Sequence, residues 1–346
     1  MKAIVYYKYG TPDVLQYEEI EKPAVGDNEV LIRVHAASVN PLDCGAMKGV
    51  PYLFRVVFGL RTPTVTQPGR LGVDVAAKVE AIGKNVTQFK PGDRVFGGCI
   101  DDPRASGAKI WDHRQGSLAE YVSAPESTLV MKPDNVTFEQ AASTPVAAFT
   151  ALQGLRNKGR VKPGQKVLIH GAAGGVGTFA VQIAKSFGAE VTGVCSTTNV
   201  DMVRSIGADH VIDYTHEDFA KGGRRYDQIL DCVGNHSLSA YRRVLTPKGM
   251  CVMVGDLSGR GAIGLLARLI AALVSSPFTS QKIVTFMARP NREDLATMHE
   301  LMKAGTVRPV IDKRYGLSEA AQAMRYLAGK HARGKVVITL EDSSNT

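Results

Sequence analysis

Cysteine is scarce in this sequence, and its distribution excludes several roles. The chain has 346 residues and five cysteines, at positions 44, 99, 195, 232 and 251, with no CxxC pair among them. A small, odd and scattered set argues against a disulfide framework and against a structural zinc knot, and it fits a reducing compartment. We therefore expect most of these cysteines to be small buried hydrophobic residues.

Long apolar runs are also missing. The N-terminus shows no charged segment followed by an apolar one, so we expect no secretory signal and a cytoplasmic location. The apolar stretch at 261–274 is shorter than the roughly 20 residues that a membrane span needs, and Arg268 interrupts it. We favour a helix at the substrate cleft or at a subunit surface, with peripheral membrane contact as the alternative, and expect no stable membrane insertion.

Runs of one charge are absent, although the chain as a whole is basic. Lysine and arginine total 42 against 33 aspartates and glutamates, which gives a formal net charge of +9. Such an excess suits nucleic acid, anionic lipid or a phosphorylated ligand. Because no run of five or more basic residues occurs, we favour a solvated surface with one site for a polyanionic cofactor, and expect no nucleic-acid partner.

Hydrophobic patterning divides the chain into two parts, as expected for domains of roughly 150 residues each. The first third carries alternating β-branched strands between proline and glycine turns. After Pro125, short apolar strands alternate with helical stretches, which predicts a parallel sheet with helices on both faces. The strands predicted in this second part lie at 166–170, 190–194, 211–212, 228–230 and 250–254.

A glycine-rich turn at 171–177 follows the first of these strands and opens a helix predicted at 176–187. In that context glycine allows a tight turn, a close approach of the backbone to a pyrophosphate, and close packing of helix on strand. The helix N-terminus then offers N–H groups to the anion, although a turn without a ligand is the alternative. The residues of this turn that we expect at the cofactor are Gly171, Ala172, Gly174, Gly175, Val176 and Gly177.

The end of the next strand predicts which dinucleotide is used. An acidic residue here would hold the ribose 2′-hydroxyl of NAD, but the sequence continues with Ser196, Thr197 and Asn199 instead. These side chains could donate to a 2′-phosphate, with Arg204 as a charge partner; they could also act as helix N-caps. The predicted cofactor is NADPH.

Six segments then form one pattern: SVNPLD at 38–43, KPGDRV at 90–95, GSLAEY at 116–121, the turn at 171–177, GAD running into VIDY at 207–214, and GKVV at 334–337. Their order and spacing, which extend over nearly the whole chain, resemble the zinc-free quinone oxidoreductase (zeta-crystallin-like) branch of the medium-chain dehydrogenase/reductase superfamily. The Asn40 segment and the ending at 331–335 are most similar to the chloroplast-envelope type of that branch.

The resemblance implies an α/β protein with two domains. A GroES-like, β-rich catalytic domain would comprise 1–124 and 291–346, and a doubly wound, parallel-sheet Rossmann domain that binds NADP would comprise 125–290. It also implies a homodimer joined through the edge strands of the cofactor-domain sheets.

The positions that hold zinc in related alcohol dehydrogenases carry other residues here. Those enzymes have a cysteine where this chain has Asn40 and a histidine where it has Val73, while Cys44 comes four residues late. Residues 98–116, which would hold the four cysteines of the structural zinc, contain only Cys99. We expect no metal. Because alcohol oxidation is difficult without a Lewis acid, we expect hydride transfer to a quinone or to the β-carbon of an enone.

The resemblance places Asn40 beside the nicotinamide and the substrate, a hydrophobic carbonyl compound or quinone. Gly45 stands where several relatives have a tyrosine, so Tyr52 is the nearest phenol that could donate a proton, with solvent as the alternative. The segment 50–68 would form a lid over a hydrophobic substrate or a packed surface loop.

The remaining cofactor residues also follow from the resemblance. They are Thr150 at the nicotinamide; Ser196, Thr197, Asn199 and Tyr214 around the 2′-phosphate; Gly234, Val254 and Gly255 along the ribose and nicotinamide crevice; and Arg333 and Lys335 at the phosphates. The plainer interpretations are that Asn40 is only a turn residue before Pro41 and that Lys335 is an ordinary surface lysine.

Two other classes of function stay open at this point. One is a protein that binds NADPH with little turnover, including an RNA-binding variant that the net charge permits. The other is a membrane-peripheral protein of the same fold that contacts lipid through 261–274.

Overall fold

A computed structural model describes residues 1–49, 63–99, 116–254, 280–329 and 332–340, which divide into two compact units. The first unit comprises Met1–Val146, Arg289–Gly305 and Pro309–Thr346; the second comprises Ala147–Ala288 and Thr306–Arg308.

The strands of the described residues, in chain order, are β1 (Lys2–Tyr6), β2 (Gln16–Glu19), β3 (Glu29–Val39), β4 (Gly69–Arg70), β5 (Asp74–Ile82), β6 (Arg94–Gly98), β7 (Tyr121–Pro125), β8 (Leu129–Met131), β9 (Lys166–His170), β10 (Glu190–Cys195), β11 (His210–Asp213), β12 (Tyr226–Asp231), β13 (Leu245–Met253), β14 (Lys282–Thr285), β15 (Ile311–Gly316) and β16 (Lys335–Thr339).

The α-helices of the same residues are α1 (Pro41–Lys48), α2 (Phe138–Ala142), α3 (Pro145–Leu152), α4 (Gly175–Ser186), α5 (Val200–Ser205), α6 (Leu238–Val244), α7 (Arg292–Lys303) and α8 (Ala320–Ala328). Short 3₁₀ turns lie at Pro12–Val14, Glu126–Thr128, Thr197–Asn199 and Leu317–Glu319, and a π-helical segment at Gln153–Gly159 follows α3. No helix in the described ranges is long and apolar enough to cross a membrane.

The first unit is built on a seven-stranded sheet in the order β15-β16-β3-β5-β6-β8, with β7 also paired to β3, and on a three-stranded sheet in the order β2-β1-β4. Only the β15–β16 pair of the larger sheet is parallel. Most of β3 is buried, and Val34, Val75, Val95 and Val336 contribute to one core.

Helix α1 starts one residue after Asn40, the N-cap, with Pro41 in the first turn and Gly49 at its end with a φ of 63°. Proline is favoured at the start of a helix because its missing N–H is not needed there. Glycine suits the left-handed end. This local sequence fixes the end of β3 and the beginning of α1, and therefore the position of Asn40.

The second unit is a six-stranded sheet in the order β11-β10-β9-β12-β13-β14, in which every pair is parallel. The fold class predicted from the sequence is confirmed. β9 matches its predicted bounds, and α4 differs from the predicted helix by one residue at each end. The alternation of strand and helix fails between β11 and β12, where residues 214–225 form only turns, because Asp218, Gly222 and Gly223 favour turns over a helix.

Candidate cofactor and active-site residues

The glycine-rich turn connects β9 to α4 at the carboxyl edge of the parallel sheet, where open α/β sheets bind their ligands. Gly171 has a φ of 84°, and the N–H groups of Gly171 and Ala172 donate to the Val194 carbonyl oxygen at 3.2 and 3.0 Å. No side chain caps α4 at Gly174. The first N–H groups of the helix therefore stay available for an anion.

Two positions of this turn are occupied by glycine for different reasons. A Cβ atom added at Gly177 would lie 2.1 Å from the Gly171 oxygen and 2.8 Å from the Ala172 backbone. A Cβ atom added at Gly174 would have its nearest neighbour, the Gly171 oxygen, at 3.5 Å. Gly177 is thus required by the packing of α4 on the turn, whereas the space at Gly174 fits the approach of a pyrophosphate.

The residues after β10 form a polar cluster. Asn199 Nδ2 donates to Ser196 Oγ at 3.0 Å, and Thr197 Oγ1 lies 2.9 Å from Thr215 Oγ1. Neither Ser196 nor Asn199 caps the following helix with its side chain, so the N-cap role is not observed. Asn199 Oδ1 is buried without a partner in the described residues. Buried polar atoms are normally paired, so Asn199 Oδ1 is an unsatisfied acceptor within this cluster.

Two predicted neighbours of this cluster are exposed. The ring of Tyr214 follows β11 and is 62% accessible, which leaves it free to cover a bound nucleotide. The Arg204 guanidinium lies in α5, 3.7 Å from Asp201, with 62% of its side chain accessible.

Sequence reasoning missed a carboxylate beside this cluster. Asp213 lies opposite Cys195 on the neighbouring strand β11, a register that a single sequence does not show. Its Oδ1 accepts from the N–H and hydroxyl of Thr215 at 2.9 and 2.7 Å. Hydrogen bonds from Thr197 and Thr215 lower the pKa of Asp213. This oxygen is therefore hydrogen-bonded within the turn that follows β11.

A buried polar network joins the ends of β9 and β12, and it was also missed. His170 Nδ1 lies 3.0 Å from Asp231 Oδ1, and the Tyr241 hydroxyl donates to Asp231 Oδ2 at 2.6 Å. Burial opposes ionisation of Asp231, but the hydrogen bond and charge of His170, aided by Tyr241, outweigh it and lower the pKa of the carboxyl. The clue in the sequence was a histidine directly before the phosphate turn.

Asp231 also holds two predicted cofactor residues. Its Oδ1 accepts from the Gly234 N–H at 2.9 Å, where the φ of Gly234 is 78°, and its carbonyl accepts from the Val254 N–H at 3.0 Å. Gly234 and Val254 are therefore brought to the same edge of the sheet as the phosphate turn. Thr150 is half-buried in α3.

In the first unit, Asn40 and Lys335 come together in a buried polar cluster that sequence reasoning did not describe. The Lys335 ammonium donates to Asn40 Oδ1 at 2.5 Å and to Asp74 Oδ2 at 3.3 Å, and Asn40 Nδ2 donates to Asp74 Oδ2 at 3.0 Å. Lys335 is 4% accessible and Asn40 is 3% accessible. The interpretation of Lys335 as a surface lysine is wrong. Asn40 does precede Pro41 as the N-cap of α1, and its side chain also bonds to Asp74 and Lys335.

Asp43 connects this cluster to the chain before β5. Its carboxylate accepts from the N–H groups of Asn40 at 2.7 Å and Gly72 at 2.9 Å. Burial raises the pKa of Asp43 to about 6, against these two hydrogen bonds, which favour the ionised form. The negative charge of Asp74 acts in the same direction as burial.

The raised pKa of Asp43 predicts a pH dependence of stability. The folded protein binds this proton more tightly than the unfolded chain, so the contribution is full below pH 3.8 and is lost as the pH rises through about 6. The unfolding free energy of the wild type minus that of Asp43→Asn should fall by roughly 2–3 kcal/mol between about pH 4 and pH 7. Urea denaturation over this range measures it, and a difference that stayed constant or grew with pH would contradict it.

Of the remaining predicted residues, the structure describes Arg333 but neither Tyr52 nor Gly255. Arg333 donates its N–H to Asp312 Oδ2 at 2.9 Å. Tyr52, Gly255, the stretch 261–274 and most of 50–68 lie outside the described residues. In the described part of the chain, no three His, Cys, Asp or Glu side chains are grouped so that they could hold a metal ion.

The fold and the phosphate turn can be compared with known families. The profile described as an alcohol dehydrogenase GroES-like domain matches residues 26–134, and the profile described as a zinc-binding dehydrogenase matches residues 206–338. A GroES-like unit joined to a parallel-sheet unit with a dinucleotide turn defines a medium-chain dehydrogenase/reductase.

Individual relatives narrow this class. The chloroplast envelope quinone oxidoreductase homologue of Arabidopsis thaliana is 32% identical over 350 residues, which cover 98% of this chain and 98% of that protein. The chloroplastic NADPH-dependent alkenal/one oxidoreductase of Arabidopsis thaliana is 34% identical over 343 residues, covering 98% of this chain and 79% of that protein. The solved structure of the quinone oxidoreductase from Coxiella burnetii is similar with a TM-score of 0.82 and 31% identity, covering 99% of both chains.

The chain belongs to the quinone oxidoreductase branch of the medium-chain dehydrogenase/reductase superfamily. It is accordingly an oxidoreductase that uses a nicotinamide cofactor, and the resemblance inferred from its six segments is confirmed.

Proposed function

We propose that this protein is an NADPH-dependent reductase of conjugated acceptors, quinones or α,β-unsaturated carbonyls, that works without zinc. The observation that carries the proposal is the Asn40 amide, which is buried beside Asp74 and Lys335 at the position where zinc-containing relatives have a cysteine ligand. The second ligand position is the buried Val73, which has no atom that binds a metal. Relatives named for quinones and for alkenals or enones support this substrate class.

The preference for NADPH rests on the cluster after β10. Ser196, Thr197 and Asn199 supply hydroxyl and amide groups, and the nearby carboxylate of Asp213 is occupied by Thr215. A 2′-phosphate would therefore meet the hydroxyl groups of Ser196 and Thr197, while Asp213 Oδ1 is already hydrogen-bonded to Thr215. The relative that acts on alkenals and enones is named as NADPH-dependent.

When bound, the reduced nicotinamide supplies a hydride to the β-carbon of the enone or to the quinone. The chain itself would orient both partners and donate a hydrogen bond to the oxygen on which negative charge develops. In this proposal Asn40 gives that hydrogen bond, Thr150 borders the nicotinamide, and Tyr52 or solvent supplies the proton. Arg333 is proposed at the cofactor phosphates, and Gly255 along the crevice with Gly234 and Val254.

A turnover screen with metal analysis tests the proposal. Purified protein should oxidise NADPH when given a quinone or an enone, contain no stoichiometric zinc, and keep its activity after treatment with a strong zinc chelator. A zinc-containing alcohol dehydrogenase treated in the same way is the control for the chelator. Stoichiometric zinc together with alcohol oxidation that the chelator abolishes would overturn it.

Assembly and location complete the proposal. We propose a cytoplasmic homodimer in which two copies of the six-stranded sheet meet along β14, the last strand of that sheet in the described residues. An uncovered strand offers unpaired N–H and C=O groups to another chain. The domains proposed are residues 125–290 for the cofactor and 1–124 with 291–346 for catalysis.

A further inference from the structure

The Asn40 side chain lies between two buried opposite charges. Its oxygen receives a hydrogen bond from the Lys335 ammonium, and its nitrogen donates to the Asp74 carboxylate. Lys335 and Asp74 themselves form an ion pair at 3.3 Å, with 4% and 0% of their side chains accessible. The amide oxygen, an acceptor, therefore faces the cation, and the amide nitrogen, a donor, faces the anion.

The two charges therefore fix the orientation of the amide. Rotating it by half a turn would set the amide oxygen against the carboxylate and the N–H groups against the ammonium. Each hydrogen bond that this rotation breaks involves a charged partner, and such bonds are stronger than neutral ones. One of the two N–H bonds of Asn40 is used by Asp74, and the second has no acceptor among the described residues.

Asp74 makes several hydrogen bonds in addition to its ion pair with Lys335. Its Oδ2 also accepts from the Ser38 hydroxyl at 2.8 Å, and its Oδ1 accepts from the Val146 N–H at 3.0 Å. The Ser117 hydroxyl donates to the main-chain oxygen of Asp74 at 2.8 Å. Together these hydrogen bonds fix the position of the Asp74 side chain and make it a rigid reference point for Asn40.

We propose that Asp74 and Lys335 are positioning residues that lock the Asn40 amide, so that its unused N–H faces the substrate oxygen on which charge develops. This rests on the proposed reductase function. It also gives Lys335 a role in orienting the amide in place of the phosphate contact expected from the resemblance.

Variants of the two charges test the lock. Asp74→Asn keeps the size of the side chain and removes its charge, and Lys335→Met removes the ammonium. Because a lost donor at a developing oxyanion slows turnover, kcat should fall about 10- to 100-fold in each variant. The Kd of NADPH, from quenching of its fluorescence, should change by less than about threefold. The double variant should lose little more than either single one, because both charges act through one amide.

A readout without turnover keeps the lock separate from the reductase proposal. In protein labelled with ¹⁵N-asparagine, the side-chain signals of Asn40, assigned by their loss in Asn40→Ala, should show one amide proton protected from exchange and one not. Both signals should shift in Asp74→Asn. Asp294→Asn is the matched control, because Asp294 is equally buried and also bonds to an asparagine, Asn291; it should move neither kcat nor these signals.

The outcomes are distinct. If Lys335→Met raises the Kd of NADPH more than about tenfold and keeps kcat, Lys335 is a phosphate ligand and the lock is overturned. Equal exchange of both amide protons in the wild type overturns it as well, even if neither variant folds. Protected and shifted signals in a protein that reduces no quinone or enone would support the lock and refute the reductase proposal.

Discussion

Gly177→Ala is expected to destabilise the protein and to abolish tight NADPH binding. The new Cβ atom would lie 2.1 Å from the Gly171 oxygen and 2.8 Å from the Ala172 backbone, and none of these atoms belongs to a movable side chain. Either α4 or the phosphate turn must move. We expect a loss of about 3 kcal/mol in unfolding free energy and a rise in the Kd of NADPH of at least about 100-fold. Urea denaturation and fluorescence titration measure the two effects.

Gly174→Ala is the matched comparison, because it adds the same methyl group to the same turn. Gly174 has a φ of −81°, which any residue adopts, and the nearest atom to its added Cβ is 3.5 Å away. Its unfolding free energy should stay within about 0.5 kcal/mol of the wild type. Its NADPH affinity should still fall, since the methyl group occupies space that we assign to the pyrophosphate. A Gly177→Ala protein as stable as Gly174→Ala would refute this division of roles.

Ser196→Asp is expected to reverse the cofactor preference. The new carboxylate would stand in the polar cluster after β10, where Ser196 Oγ now accepts from Asn199. It would repel a 2′-phosphate and accept hydrogen bonds from the ribose hydroxyls of NADH. We expect the Kd of NADPH to rise about 100-fold, with a weaker effect at high salt and tighter binding of NADH.

The control is Ser196→Asn, which adds a side chain of the same size without charge. It should change the ratio of the two affinities by less than about fivefold. Titration of each variant with NADPH and NADH decides the matter. If Ser196→Asp binds both cofactors as the wild type does, the adenosine 2′ position lies elsewhere, and the NADPH proposal loses its structural basis.

The parts of the fold that local chemistry dictates could be predicted from the sequence. The phosphate turn was recognised because a cluster of glycines between an apolar strand and a helix is typical of a dinucleotide-binding turn. β9 was predicted at its observed bounds because the short apolar run at 166–170 is followed directly by the glycine-rich turn, where Gly171 has a positive φ. The parallel sheet followed from the repetition of such runs.

The parts that depend on distant pairing could not be predicted. Lys335 and Asn40 are 295 residues apart, and the resemblance alone placed both near the cofactor. Asp74 begins β5 and is followed by the apolar residues 75–77. This position was the only indication in the sequence that the carboxylate is buried and needs partners. Asp213 reaches the cluster after β10 through the register of β11, and periodicity within one strand contains no information about register.

The discontinuous first unit has a consequence for how the chain acquires its structure during synthesis. All six strands of the second unit come from residues between Lys166 and Thr285, so they can pair as soon as that stretch has left the ribosome. In the first unit, β16 lies between β15 and β3 and is the last of the described strands to be made. The described seven-stranded sheet can therefore be completed only after β16 has been synthesised, which is later than the described strands of the six-stranded sheet, and Lys335 can reach Asn40 only then.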